Sequence, residues 1–263
     1  MAAYESSAVS VHGCELRLLR AGSGAPLVVL RDAVGPLGWE PYLAQLAQSF
    51  DVIVPTHPGF GGTPIPAWLD GVSDYANFYL DLLGALDLRD VHLMGAGLGG
   101  WIAADLATRN TSRLASLTLV DANGLHLRGI KQTDIFLGSD EDVLRSLFVD
   151  EKFAGGVVAN LLTPESEDVR LQNQQVFARV SWQPRLHDPN LSKWLHRIDV
   201  PTHIIWGDGD RLLPKQYAAA WQQLIAGSQV TVIAGSGHLP HIEKPKEFLA
   251  AVERFLLEQR VPA

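Results

Sequence analysis

The segment His92-Leu-Met-Gly-Ala-Gly-Leu-Gly-Gly-Trp101 joins an apolar run to an Ala-rich amphipathic stretch, which predicts a strand-to-helix junction. Its glycines follow the pattern G-x-G-x-G, whereas a nucleophile elbow follows G-x-S-x-G and exposes a serine hydroxyl on a strained turn. In such an elbow the N–H of the next residue, here Leu98, helps to bind an oxyanion. Gly97 stands at the central position without a side chain, which excludes covalent acyl-enzyme catalysis from this position.

The same glycines also satisfy a dinucleotide-binding pattern. Gly95, Gly97 and Gly100 fit G-x-G-x-x-G, and Asp121 follows about twenty residues later, where that pattern needs an acid at the end of a strand. The pattern should open an early βαβ unit, however, and the motifs further along the chain favour the elbow over a cofactor site.

Two later motifs each follow an apolar run. They are Trp206-Gly-Asp-Gly-Asp-Arg-Leu-Leu-Pro214 and Gly235-Ser-Gly-His-Leu-Pro-His-Ile-Glu-Lys-Pro245. Their patterns, WGxxDxxxP and GxGHxxxxExP, resemble the acid and histidine motifs of the α/β-hydrolase superfamily, in the order nucleophile, acid, histidine. With the segment HPGFGGTP at 57–64, the chain resembles the capped lipase and C–C hydrolase branch that includes meta-cleavage-product hydrolases.

The resemblance covers most of the chain and implies that Asp210 is the catalytic acid and His238 the base. Asp208 is assigned to turn formation before Gly209, and His241 to a structural role in the histidine loop.

A second departure from the superfamily follows the apolar strand Leu27–Leu30. Relatives usually have His-Gly and further glycines there, whose backbone shapes the oxyanion hole, but this chain has Arg31 and Asp32 before Ala33. A carboxylate in that place would repel a developing oxyanion unless it is paired or protonated. Pairing of Asp32 with Arg31 at the rim is the structural alternative. One engineered serine-to-glycine change would not alter both places, so we favour natural divergence.

Three functions follow from this combination. The first is an enzyme that uses a His238–Asp210 dyad for non-covalent acid/base chemistry, as a lyase, isomerase, cyclase, decarboxylase or through direct attack by water, with Asp32 as a second polar group. The second is a catalytically inactive protein that binds a small molecule. The third is a serine esterase or C–C hydrolase disabled by mutation at Gly97. No metal and no organic cofactor is expected in any of them.

The elements that must position these residues alternate between apolar strands and amphipathic helices. This alternation predicts an α/β-hydrolase fold, with a doubly wound, mostly parallel sheet and helices on both faces. The predicted strands are Val9–Val11 and Leu16–Arg20, joined by the turn His12-Gly13, then Leu27–Leu30, Val52–Val54, Val91–Met94, Leu114–Val120, His203–Trp206 and Gln229–Ile233. The predicted helices are Pro41–Ser49, Ser73–Leu86, Leu98–Arg109, Lys215–Ile225 and Pro245–Glu258.

The stretch 123–197 lacks a convincing strand and is predicted to form a helical cap over a core made of 1–122 and 198–263. Two helices are expected in it, over Asp140–Phe148 with Ser139 as N-cap and over Glu165–Val180. Cap residues with apolar or aromatic side chains are candidates for a pocket or for packing onto the core: Ile135, Phe136, Leu147, Phe148, Phe177 and Trp182. From the core, Arg31, Trp39, Phe60 and Trp101 are further candidates for the pocket.

The composition limits the partners. The 263 residues carry a formal net charge of −8, with 47% hydrophobic and 19% charged residues. An acidic chain with scattered Lys and Arg favours neither nucleic acid nor an anionic membrane as partner, so a small molecule is expected. The lone Cys14 and the absence of a recognisable signal peptide or apolar span predict a cytoplasmic protein. The oligomeric state stays open, with a homodimer among the states allowed.

Overall fold

The structure, a computed structural model, describes residues 4–35 and 38–259. The two ends of the predicted core, at 1–3 and 260–263, therefore lie outside the described residues. The elements in chain order are β1 (Glu5–Val11), β2 (Cys14–Ala21), β3 (Pro26–Leu30), α1 (Pro41–Leu46), β4 (Asp51–Pro55), α2 (Val72–Ala85), β5 (Val91–Ala96), α3 (Leu98–Arg109), β6 (Leu114–Val120), α4 (Asp140–Ser146), α5 (Glu151–Leu161), α6 (Glu167–Ser181), β7 (Thr202–Gly207), α7 (Gln216–Leu224), β8 (Gln229–Ile233), α8 (Pro240–Glu243) and α9 (Pro245–Glu258).

The strands form one sheet in the order β1-β2-β4-β3-β5-β6-β7-β8. β1, β2 and β4 pair antiparallel, and the pairs from β4 through β3 to β8 are parallel. The predicted turn joins the first two strands, with His12 and Gly13 at φ values of 47° and 76°. The predicted fold class, an α/β-hydrolase fold with a mostly parallel sheet, is confirmed.

The order of the parallel strands reverses at β3, because β4 lies on one side of it and β5 on the other. Open α/β sheets bind ligands at such a switch point, beyond the carboxyl ends of the strands. β3 and β5 pair with Leu30 opposite Gly95, so the residues that follow each strand leave the sheet side by side. The loop that carries Asp32 therefore begins beside the loop that carries Gly97.

Both faces of the sheet are covered. Along β3, Leu27 and Val29 belong to one buried cluster, which includes side chains of α1 and α9. Val28 and Leu30 belong to the cluster on the opposite face, which includes side chains of α2 and α3. This alternation follows the two-residue repeat of a strand, and it explains why the run is apolar throughout.

Between β6 and β7 the chain forms α4, α5 and α6, and we call the segment 123–197 the cap. Both predicted cap helices are present, and the Ser139 hydroxyl caps α4 by accepting from the N–H of Asp142. The sequence did not predict α5, since Gly155 and Gly156 lie in its middle and glycine is a poor helix former. No helix in the described part of the chain is long and apolar enough to cross a membrane.

Candidate active site

The turn between β5 and α3 has the strained geometry of an elbow. Gly97 has a φ of 50° and a ψ of −116°, a conformation that residues with side chains rarely adopt. Its carbonyl accepts hydrogen bonds from Trp101 N (3.1 Å) and Asn123 N (3.0 Å). Gly99 is needed for close packing, because a β-carbon there would lie 2.2 Å from the carbonyl oxygen of Leu30. The elbow is thus built to bring β3, β5 and α3 together.

The side chain of Asp32 fills the space above Gly97. A β-carbon on Gly97 would lie 2.1 Å from the carboxyl carbon of Asp32 and 2.1 Å from its Oδ1. The side chain that position 97 lacks is therefore replaced in space by a carboxylate that arrives from the neighbouring strand.

Oδ1 of Asp32 accepts hydrogen bonds from the backbone N–H groups of Ala33 (2.7 Å) and Leu98 (2.9 Å). These are the two residues that the sequence places in the oxyanion region. The structure brings them together, but around a carboxylate of the protein itself. Two backbone donors on one oxygen stabilise the ionised form of an acid.

The alternative in which Asp32 points away and pairs with Arg31 at the rim does not occur, because Asp32 contacts Leu98 and His238 instead. Arg31 is buried, and its guanidinium donates to the carbonyl oxygen of Gly38 (2.5 Å) and lies in a cleft with Glu40 and His241. The two side chains point in different directions because successive residues of an extended segment face opposite sides. Burial raises the pKa of Glu40 to about 7 and lowers the pKa of His241 to about 3.

His238 bridges two carboxylates. Its Nδ1 lies 2.7 Å from Oδ2 of Asp210, as the dyad requires, and its Nε2 lies 3.2 Å from Oδ2 of Asp32. All three residues are buried, with exposed fractions of 2% for His238, 5% for Asp210 and 6% for Asp32. The other oxygen of Asp210 accepts from the N–H groups of Leu212 (2.8 Å) and Leu213 (3.1 Å), which fixes the carboxylate.

The charge state of His238 follows from these contacts. Burial by itself opposes the charged ring, but the carboxylates of Asp210 and Asp32 outweigh it and hold the pKa of His238 well above its ordinary value. Both ring nitrogens of the imidazolium carry a proton, so each can donate to one carboxylate. The protonated His238 ring therefore lies between the side chains of Asp210 and Asp32.

His57 supports the loop that carries Asp32. Its Nε2 lies 2.9 Å from the carbonyl oxygen of Arg31 and its Nδ1 lies 2.5 Å from the hydroxyl of Tyr79. Burial lowers the pKa of His57 to about 4, so the ring is neutral and donates from Nε2 while it accepts from Tyr79. Sequence reasoning gave this residue no such role, although its segment HPGFGGTP was the available signal.

Asp121 lies fully buried at the end of β6. One of its oxygens accepts from the N–H of Gly207 (2.9 Å), and its carboxylate lies behind the dyad. The dinucleotide interpretation needs Asp121 exposed to a ribose and is therefore wrong.

One group with ligand atoms suited to a metal occurs within residues 4–35 and 38–259. Oxygens of Asp121 and Asp210 and a ring nitrogen of His238 lie within 4.8 Å of one another. The short His238–Asp210 hydrogen bond already uses the facing nitrogen and oxygen of two of these residues. We therefore interpret the group as part of a hydrogen-bonded acid/base system.

A cavity of about 190 Å³ lies beneath the cap. Most of its walls are apolar, and Asp140, Arg170, Asn173 and Gln174 supply polar groups. A smaller space of about 10 Å³ lies against both Asp32 and His238. That is room for about one water molecule. Both spaces share three walls: Val34, Ile135 and Phe177.

Some of the predicted pocket residues line the cavity and others do not. Phe136, Ile135 and Phe177 line the cavity, which is one of the two roles left open for them. Phe60, Trp101, Leu147 and Phe148 are instead buried in the packed core. Trp39 stacks on Tyr4 with 5.2 Å between ring centres, and Trp182 is 47% exposed beneath the guanidinium of Arg185. The aromatic character of a residue does not indicate which face of its helix or strand it occupies. The residue types of four further cavity residues gave no indication of their position either, and the sequence did not predict them: Val34, Val143, Leu144 and Arg170.

Asp208 and His241 both make structural contacts, although the bond of Asp208 links two loops and is not the turn contact predicted before Gly209. Oδ1 of Asp208 accepts from the N–H of Gly235 at 2.7 Å, which ties the acid loop to the histidine loop. His241 packs between Tyr42 and Phe248, at ring-centre distances of 4.8 and 5.8 Å.

Comparison with known proteins agrees with the fold. The model of the alpha/beta hydrolase family matches residues 9–252. An uncharacterized protein of Mycobacterium tuberculosis is 30% identical over 94% of this chain and 80% of its own length. The 2-hydroxy-6-oxo-2,4-heptadienoate hydrolase of Pseudomonas putida is 28% identical over 93% of each chain.

Among solved structures, a bacterial membrane phospholipase A is similar with a TM-score of 0.82, at 24% identity over 98% of this chain and 87% of its own. A serine hydrolase from Cycloclasticus zankles has a TM-score of 0.81, at 20% identity over 99% and 100% of the two chains. At these identities the likeness concerns the fold. By the family match and the sequence relatives together, the chain belongs to the alpha/beta hydrolase family.

Proposed function

We propose that this chain is an enzyme that works without a serine nucleophile and uses His238, Asp210 and Asp32 for non-covalent acid/base chemistry. The observation that carries the proposal is the 3.2 Å contact between Nε2 of His238 and Oδ2 of Asp32. This contact lies beside a space that shares three wall residues with the cavity under the cap. A proton donor and a proton acceptor meet there, out of bulk water.

The oxyanion donors argue for proton transfer and against acyl transfer. The N–H groups of Ala33 and Leu98 are already bound to Oδ1 of Asp32. The carbonyl oxygen of an ester would find neither donor free, and its developing charge would face a carboxylate. Reactions that need only the removal and return of a proton do not meet this obstacle.

The pKa of His238 decides which residue is the acid and which is the base. Because the pKa of His238 is raised, its imidazolium is the acid at neutral pH, and Asp32, whose Oδ2 faces Nε2 of that ring, is the base. Together they take a proton from one atom of a substrate and give one to a nearby atom. Isomerisation, elimination, cyclisation, decarboxylation and cleavage or formation of a C–C bond all fit this pattern. Direct attack by a water held in the smaller space, the hydrolytic variant, meets the same obstacle as acyl transfer, because its tetrahedral intermediate also needs the oxyanion donors.

The cavity indicates a small, largely apolar substrate. Its volume is about 190 Å³. A protein cavity of about 150 Å³ can hold benzene, so a molecule with one ring and a few substituents is of suitable size. The name of the Pseudomonas relative also refers to a small organic acid.

A ligand-binding protein without turnover is the second candidate. The observation in its favour is the tight closure of the site, since Asp32, Asp210 and His238 are each at most 6% exposed. The third candidate, a disabled serine hydrolase, is disfavoured. A serine at position 97 would place its β-carbon 2.1 Å from the carboxyl carbon of Asp32, so restoring the serine alone would not restore a triad.

Incubation with a bacterial metabolite extract, followed by untargeted mass spectrometry, tests the proposal. The wild type should consume a metabolite and form a new product, and His238→Ala should not. Asp208→Asn is the matched control, because it changes an exposed aspartate of the same loop as Asp210. A metabolite retained unchanged by both wild type and His238→Ala would establish the binding protein instead.

A further inference from the structure

The proposed mechanism does not use Asp121, although its side chain has an unusual environment. The residue is 0% exposed and has a φ of 42°, so the fold holds it in a conformation that non-glycine residues rarely adopt. Its Oδ1 accepts from the N–H of Gly207. Its Oδ2 is buried and has no hydrogen-bond partner within residues 4–35 and 38–259. A buried oxygen without a partner costs stability unless a proton satisfies it.

The groups that face Asp121 come from the loops after β7 and β8. They are Asp210 and His238, whose oxygen and nitrogen atoms lie with an oxygen of Asp121 inside a 4.8 Å group. Asp32, from the loop after β3, approaches Nε2 of the His238 ring, while Asp210 binds Nδ1. Two ionised carboxylates as close as Asp121 and Asp210 would repel each other strongly in a buried site.

We infer that Asp121 is a neutral carboxylic acid that donates a hydrogen bond from Oδ2 to Asp210. In this arrangement it is a positioning residue. It keeps Asp210 ionised and directed at Nδ1 of His238, while its own Oδ1 is fixed by Gly207.

The balance of donors and charges supports this assignment. Asp210 receives two backbone N–H groups on Oδ1 and the His238 ring on Oδ2, so both of its oxygens already accept hydrogen bonds from donors. Asp121 receives one backbone N–H. Burial, and then the charge of Asp210, raise the pKa of Asp121 well above its ordinary value. With Asp121 neutral, two carboxylates and one imidazolium leave a single negative charge, which the N–H groups at Asp32 disperse.

The protonation of Asp121 does not depend on any reaction, whereas its positioning role rests on the proposed function. The test therefore reads protonation directly. Protein labelled with ¹³C at aspartate carboxyl groups is titrated by NMR, with Asp121→Asn used to assign the Asp121 signal. We expect that signal to keep the chemical shift of a protonated acid through pH 7. A signal that shows an ionised carboxylate at pH 7 would overturn the inference, and this measurement needs only the wild type to be folded.

A second readout is the titration of the His238 ring, followed by ¹⁵N NMR. Asn is a neutral isostere of the acid, because its oxygen accepts from Gly207 and its amide donates to Asp210, and it tolerates a positive φ. Asp121→Asn should therefore leave the pKa of His238 in place, as should the control Asp208→Asn. A fall in the pKa of His238 by about one unit or more would show that the substitution removed a negative charge. Chemical shifts that respond to added Zn²⁺ or to EDTA would point to a bound cation and equally overturn the inference.

Discussion

The carboxyl carbon of Asp32 lies 2.1 Å from the point that a β-carbon on Gly97 would occupy. The two unusual residues of this chain are therefore one feature of the site, since the carboxylate needs the space that the glycine leaves. Asp32 cannot simply rotate away, because two backbone N–H groups and His238 hold it. The first prediction concerns this dependence.

Gly97→Ser alone should destabilise the protein by about 1–3 kcal/mol, because the new side chain clashes with a fixed carboxylate at a positive φ. Asp32→Gly removes the clash, so the double variant should recover much of that loss. Urea unfolding of wild type, both single variants and the double variant measures the coupling free energy. Additive effects would show that the two positions are independent.

The double variant Asp32→Gly with Gly97→Ser should also hydrolyse p-nitrophenyl esters, because it again has a serine, two free oxyanion donors and the His238–Asp210 dyad. Gly97→Ser alone should remain inactive, since its oxyanion donors stay occupied. Strong esterase activity of Gly97→Ser alone would contradict the assignment of Asp32 to the oxyanion donors and would favour a disabled serine hydrolase.

Asp32→Asn should lower kcat by about 10²–10⁴-fold on the natural substrate, with little change in KM, because it removes the base and keeps the shape. It should also lower the pKa of His238, since one of the two carboxylates that raise that pKa is lost. Steady-state kinetics and ¹⁵N NMR measure the two effects. A reduced pKa with unchanged turnover would separate the electrostatic role of Asp32 from catalysis.

Acidification should destabilise the protein through His57. Its folded pKa of about 4 is below the ordinary value of 6.5, so its contribution is complete above pH 6.5 and is lost as the pH falls towards 4. The expected loss for one such histidine is about 3 kcal/mol over this interval. His57→Gln should reduce the slope of unfolding free energy against pH in this window. His203 also has a pKa lowered to about 4 and remains in the variant, so part of the slope should persist.

Filling the cavity should block the substrate without disturbing the acid/base residues. Val143 lies on α4 and lines the cavity, so Val143→Phe should reduce the available volume and lower kcat/KM by about tenfold or more. Leu171→Phe is the matched control, because Leu171 is 52% exposed on α6. Equal kinetics for Val143→Phe and wild type would place the substrate elsewhere.

The sequence predicts the fold closely where pattern and boundary signals coincide. α3 and α9 have the predicted bounds, because both combine an apolar stripe with a glycine turn or a proline at the start. The pair Asp210 and His238 could be identified from the sequence for a similar reason, since its two motifs follow two neighbouring strands. The sequence did not predict α5, because two glycines lie at its centre and weaken the helical pattern.

The position of Asp32 was not predictable from its type and neighbours. An aspartate two residues after a strand end faces either the rim or the site, and a shift of one residue exchanges the two. The register of β3 and β5 determines that Asp32 faces the site, because Leu30 lies opposite Gly95 and the loops that follow the two strands lie side by side. The simultaneous change at positions 32 and 97 indicated divergence of the site, but it did not by itself show that the Asp32 carboxylate occupies the space above Gly97.

The tight fit of Asp32 over Gly97 also bears on how the site can be redesigned. With the Asp32 side chain in this rotamer no β-carbon fits at position 97, so the buried carboxylate and a side chain at 97 exclude each other. A library that varies one of the two positions therefore samples only variants in which the other residue is unsuitable. Positions 32 and 97 have to be varied together, as a single unit of design.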